Sequence, residues 1–248
     1  MISEELVRSC LYNWLGYGNL NGAVWFIGTE EGGAEIWRQA TQTLESSLKH
    51  RSRFYLSMDF RQVWEEIYGI PLESFRGPCV WRYMAAFLIS LKGETVNTEN
   101  VNCFVFRDKE LGNIKSDHFM CELLPLPKRR KESIIDYNFI WSSIEKYRNE
   151  VMPKRLELIL HTLEANEGIN LIISYEKHLS RDFLNYFNNN GKVTIRGEFS
   201  FNKEIYTKYE IQINPNRKVE FLSTPFFGNG CISYEGISRA TSSLIFTG

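Results

Sequence analysis

Two adjacent glutamates, Glu30 and Glu31, stand in the run Gly28-Thr29-Glu30-Glu31-Gly32-Gly33, which follows the apolar stretch AVWFIG. Carboxylates at a strand end can activate water or stabilise a developing cation, and their proximity raises the pKa of one of them. Gly28, Gly32 and Gly33 allow close approach of the backbone to a ligand, and a following helix would offer N–H groups to an anion or oxyanion. The competing reading is a glycine turn whose glutamates are solvated at a helix N-terminus, where the dipole favours them.

Two further loops carry unusual residues. Pro125-Leu126-Pro127-Lys128-Arg129-Arg130-Lys131 follows HFMCELL, and this basic cluster in a chain of net charge −1 is a candidate phosphate clamp, or else a solvated loop. Glu122 is a charge in an otherwise apolar run, so it faces solvent or points into a site. After KVEFLS comes Thr224-Pro225-Phe226-Phe227-Gly228-Asn229-Gly230, whose adjacent aromatics suit a wedge in a base stack or a cover for the core edge.

Strands must carry these loops. Apolar β-formers predict strands over 23–28, 101–106, 118–124, 169–174, 192–198, 204–213 and 218–223. Helical spacing predicts helices over 2–15, 34–48, 59–68, 78–92 and 151–165, and the NNNG turn at 188–191 opens a smaller β-rich section. Alternation of the two predicts an α/β sandwich of three layers, αβα, with a mainly parallel central sheet, in which ligands bind beyond the carboxyl ends of the strands. No repeat or Pro/Ser linker divides residues 1–248, so one domain is expected.

Composition removes other classes. With 43% hydrophobic residues, 14% aromatics and a net charge of −1, the chain is neither disordered nor globally basic, so any nucleic acid must be held by a local patch. No apolar run reaches membrane-spanning length and the N-terminus does not fit a cleaved signal, which makes a cytoplasmic location the expectation. Five dispersed cysteines without a C-x-x-C pair predict reduced thiols and neither a structural zinc nor an iron–sulfur cluster. His50, His118, His161 and His178 lack metal-ligand spacing, Trp25, Trp37, Trp64 and Trp81 read as core, and Lys154, Arg155 and Glu157 read as the solvated face of a helix.

The order of the three loops resembles the uracil-DNA glycosylase superfamily. Its members have a first strand ending in a glycine loop, a second ending in a base-reading residue, and a late strand ending in a loop that penetrates DNA. FIGTEEGG puts Glu30 where many members carry the water-positioning Asp or Asn, MCELLPLP looks like the second strand and its loop, and STPFFGNG keeps Pro225 of the late motif. Glu31 replaces a usual proline, and Thr224 stands where some members carry histidine.

The resemblance implies a monofunctional, cofactor-free, monomeric DNA glycosylase. Glu30 would orient or deprotonate the attacking water, with Glu31 as the substitute and the Gly32 and Gly33 N–H groups in support. Lys128, Arg129 and Arg130 would hold the DNA backbone beside the loop of Thr224, Pro225 and Asn229, Phe226 and Phe227 would wedge the stack, and Phe54 or Tyr55 would stack on the flipped base. Glu122 aligns with the base-reading asparagine. Ionised, it would only accept hydrogen bonds, which suits the cytosine amino group and implies a cytosine-like base, plain or 5-modified, and a role in defence against phage DNA or in repair. The rivals are a non-catalytic nucleic-acid or nucleotide-binding module, for which Glu31 and Thr224 are signs of lost catalysis, and an unrelated hydrolase or transferase acting on a small phosphorylated substrate.

Overall fold

The computed structural model describes residues 2–75, 79–188 and 192–245. Its strands are β1 (Gly16–Gly18), β2 (Val24–Gly28), β3 (Ser57–Met58), β4 (His118–Glu122), β5 (Leu171–Ser174), β6 (Val193–Phe201), β7 (Glu204–Asn214) and β8 (Arg217–Ser223). They join into one sheet of order β3-β1-β4-β2-β5-β8-β7-β6. The centre, β4-β2-β5-β8, is parallel, whereas β1 runs antiparallel to β4, and β8, β7 and β6 form an antiparallel meander.

The central strands β2 and β5, VWFIG and LIIS, are almost wholly apolar because both faces are covered. Along β2, Val24 and Phe26 point into one core while Trp25 and Ile27 point into the other, and Leu171 and Ile173 alternate with Ile172 in the same way along β5. Helices α4 (Cys79–Leu91), α5 (Thr98–Asn102) and α8 (Tyr234–Leu244) cover the first face; α1 (Glu4–Ser9), α3 (Leu44–Arg51), α6 (Ile144–Ala165) and α7 (Lys177–Asn188) cover the second. The architecture is therefore α/β, with helices on both faces of a mixed sheet.

From β2 the chain crosses to β4 on one side, then returns past β2 to β5 and β8 on the other. This reversal opens a crevice beyond the carboxyl ends of the central strands. The loops after β2, β4, β5 and β8 all border it.

Several elements differ from expectation. Residues 101–106 are not a strand: Asn97 caps α5 through Asn100 N–H, and the chain continues as a π-helical turn over Cys103–Arg107. Val101 and Val105, four apart and fully buried, put a helical period inside a run of β-formers. The expected helix 34–48 breaks into one turn, α2 (Ala34–Trp37), and α3, because Ala40 turns left-handed at φ 53° and Thr43 caps a new start. The helix expected over 2–15 stops at Ser9, and 59–68 winds partly as a π-helix over Gln62–Ile67. Of the turn at 188–191, residues 189–191 lie outside the described residues.

Arg155 is no surface residue. On α6 it is fully buried, and its guanidinium donates to the carbonyls of Leu11, Trp14, Glu122 and Leu123 at 2.6–3.1 Å. Two carbonyls of the segment between α1 and β1 and two at the end of β4 are thereby satisfied by one side chain. Among the described residues no helix is long and apolar enough to cross a membrane, and no group of three or more His, Cys, Asp or Glu could hold a metal ion.

Candidate active cleft

A cleft of about 1260 Å³ lies over the carboxyl ends of the central strands. Its floor holds Glu30, Glu31 and Glu122; its rim holds Arg129, Arg130 and Lys131 from one loop, Lys177 and His178 from the start of α7, and Pro225 to Cys231 from the loop after β8. The three loops singled out in the sequence thus meet at one place.

The two adjacent glutamates have different fates. Glu31 is locked: Tyr17 donates its hydroxyl to Oε1 at 2.6 Å and Arg51 Nη2 sits 2.7 Å from Oε2. Arg51 also binds Glu35 Oε1 at 2.7 Å and the Pro125 carbonyl at 3.2 Å, and lies over the Trp14 ring. This is a buried, hydrogen-bonded ion network, so Glu31 holds the glycine loop to α3 and cannot readily substitute for Glu30. Glu30 pairs through Oε2 with Lys128 Nζ at 2.7 Å. Burial raises the Glu30 carboxyl above the ordinary carboxylate range, and Lys128 opposes the shift. A carboxylate so raised is a stronger base towards water.

Contrary to expectation, Lys128 is not placed to hold DNA phosphates. Its side chain is 2% exposed, Nζ donates to the Lys131 carbonyl at 2.7 Å, and burial lowers its pKa. Pro127 and its neighbours turn the chain inward before Arg129 and Arg130, which remain exposed, Arg129 over the Trp37 ring at 5.6 Å. The basic cluster is therefore split into one internal partner for Glu30 and two outward cations.

Glu122 ends β4 in register with Gly28. Its carboxyl is buried, Oε2 finds no hydrogen-bond partner, and burial followed by Glu31, Glu176 and Glu30 pushes its pKa well up. Burial thus favours the protonated form over the ionised, acceptor-only group that was expected. A protonated carboxyl both donates and accepts. Gly28 makes this arrangement possible, since a Cβ there would overlap the Tyr175 hydroxyl and come within 3.1 Å of Glu122 Oε2. Gly32 and Gly33 have φ of 84° and 59°, so both need the glycine backbone, but the helix that follows is a single turn and does not furnish the expected anion site.

Other expectations are corrected. Phe54 is buried against Trp14 and Tyr68, Tyr55 is 79% exposed, and neither borders the cleft. Phe227 is fully buried, stacked on Tyr175 at 4.7 Å and on Phe87 at 5.5 Å, so it is core and no wedge. Thr224 is also buried, tying β8 to β5 through the Ser174 carbonyl. Phe226 and Asn229 are exposed on the rim, and Pro225 borders the cleft from a buried position.

The aromatic wall of the cleft is not evident from sequence. Tyr17, Phe60, Trp64, Phe75 and Trp81 line one side in edge-to-face contacts of 4.8–5.7 Å. Trp64 and Trp81 read as core packing because periodicity does not say which part of an apolar face borders a cavity. Neither the models of protein families, nor curated proteins, nor solved structures provide a match to this chain.

Proposed function

We propose that the protein is a DNA glycosylase related to the uracil-DNA glycosylase superfamily, hydrolysing the N-glycosidic bond of a flipped pyrimidine. The observation that carries this reading is an acidic floor inside a largely basic rim: exposed Arg129, Arg130 and Lys177, with Lys131 paired to Glu176, surround half-buried Glu30 and buried Glu122. A polyanion would be held at the rim while positive charge develops on a sugar at the floor.

In this reading the C1′–N bond breaks with its electron pair passing to the base, and water adds to C1′ as Glu30 takes its proton. Lys128 keeps Glu30 aimed. Glu122 pairs with the base edge, its O–H donating and its carbonyl accepting, which stabilises the charge left on the base. Cytosine presents an acceptor at N3 and a donor at N4, and the turned-over carboxyl also fits uracil, so in this reading Glu122 reads a pyrimidine edge, and the cytosine-like base, plain or 5-modified, belongs to the proposal. The defence or repair role, the monomeric state and the cytoplasmic setting belong to this proposal.

Incubation with duplex and single-stranded DNA carrying uracil, cytosine or 5-hydroxymethylcytosine should produce abasic sites, and Glu30→Gln should lower the rate by roughly a hundredfold or more while DNA binding persists. Bound DNA with no abasic site on any substrate would instead favour a binding module.

A further inference from the structure

The hairpin joining β6 to β7 ends in Asn202 and Lys203, between the paired residues Phe201 and Glu204. Asn202 takes φ 54°, the left-handed conformation that such a tight turn requires. Along β7 the period of two then decides which side chains turn inward. Glu204 and Tyr206 are buried, and Ile205 between them is 42% exposed.

The inward pair fixes the hairpin to α8. Tyr206 donates its hydroxyl to Glu204 Oε2, Ser233 Oγ donates to Glu204 Oε1 at 2.5 Å, and Ser233 Oγ in turn accepts the Gly236 N–H at 3.0 Å. Arg239 of α8 lies over the Phe201 ring at 5.0 Å. An exposed isoleucine is thus mounted on a braced turn.

Its position matters. Two residues beyond the last registered pair of β7 and β8, Thr207 with Ser223, the chain places Ile205 on one side and Pro225 on the other, so the hairpin tip and the loop carrying Phe226 border the same cleft. Among the described residues, Ile205 and Phe226 are the two exposed large apolar side chains that line it, Phe226 at 38% exposure. Lys203 is exposed beside Ile205, and Arg129, Arg130 and Lys177 face the same opening, a charge pattern that complements a phosphate backbone.

We propose that the β6–β7 hairpin is a second DNA-penetrating element: Ile205 enters the duplex with Phe226 while Lys203 contacts phosphate. The wedge expected from two adjacent phenylalanines is therefore built from two separate elements. This inference rests on the glycosylase reading.

A wedge is needed to unstack a paired base and contributes little on a strand already open. Excision by the full chain should be measured on duplex and single-stranded oligonucleotides carrying the same base, using whichever of uracil, cytosine or 5-hydroxymethylcytosine the wild type excises. Ile205→Asp should lose about tenfold or more in kcat/KM on the duplex and less than about twofold on the single strand, with Ile205→Leu restoring the duplex rate. Equal loss on both substrates, or loss on neither, would overturn the hairpin's role and leave the glycosylase reading standing. No abasic site from the wild type on either form would overturn both.

Discussion

At the residue scale the electrostatics of the cleft depend on which carboxyl groups carry a proton. Glu122 is buried among Glu30, Glu31 and Glu176, and its pKa in the folded protein lies well above the ordinary carboxylate value. The folded chain therefore holds a proton that the unfolded chain has released, and stability must fall as pH rises from the ordinary carboxylate range through the folded pKa. Glu122→Gln removes this share of the dependence, about 1.4 kcal/mol for every tenfold difference in proton affinity between the folded and unfolded chains, while Glu30 and Glu31 keep theirs. Unfolding midpoints measured from about pH 5 to pH 9 should decline less steeply for Glu122→Gln than for wild type. Parallel curves would mean that Glu122 is ionised in the native protein. Gln also offers one donor and one acceptor, so the variant should retain excision near neutral pH, whereas an acceptor-only role would not survive the change.

At the element scale, strands are legible where both faces are buried. Runs such as VWFIG and LIIS have no alternative consistent with their length and neighbours, and the loops after them border the cleft. The segment 101–106 misleads because burial of Val101 and Val105 decides its conformation and β-propensity does not. Glu31 and Lys128 are legible as charges in a site, but their partners Arg51 and Glu30 arrive from other parts of the chain, so their roles are set by tertiary contact. Arg155 shows the same limit: a charged residue on an amphipathic helix looks solvated until the carbonyl groups it satisfies are known. Arg155→Met should cost about 3 kcal/mol or more by leaving buried carbonyls without donors, and Arg155→Lys should recover little because one ammonium cannot span them. Denaturant unfolding reads this directly, and a loss below about 1 kcal/mol would show that the end of β4 holds without it.

At the scale of the whole molecule, a net charge of −1 provides no general attraction for DNA, so the proposed function requires the rim to supply it. Arg129 and Arg130 are exposed there and Lys128 is not. Replacing both arginines by alanine should reduce the slope of log affinity against log salt by about 2, near 0.9 for each phosphate no longer neutralised, for every base tested. An unchanged slope would place the phosphate backbone elsewhere on the surface. The central claim is that this cleft cuts an N-glycosidic bond with Glu30, and it is tested most directly by mass-spectrometric detection of free base under single-turnover conditions. The wild type is expected to release a pyrimidine base in step with abasic-site formation and Glu30→Gln to release almost none. Release at equal rates by both proteins, or by neither, would contradict the account.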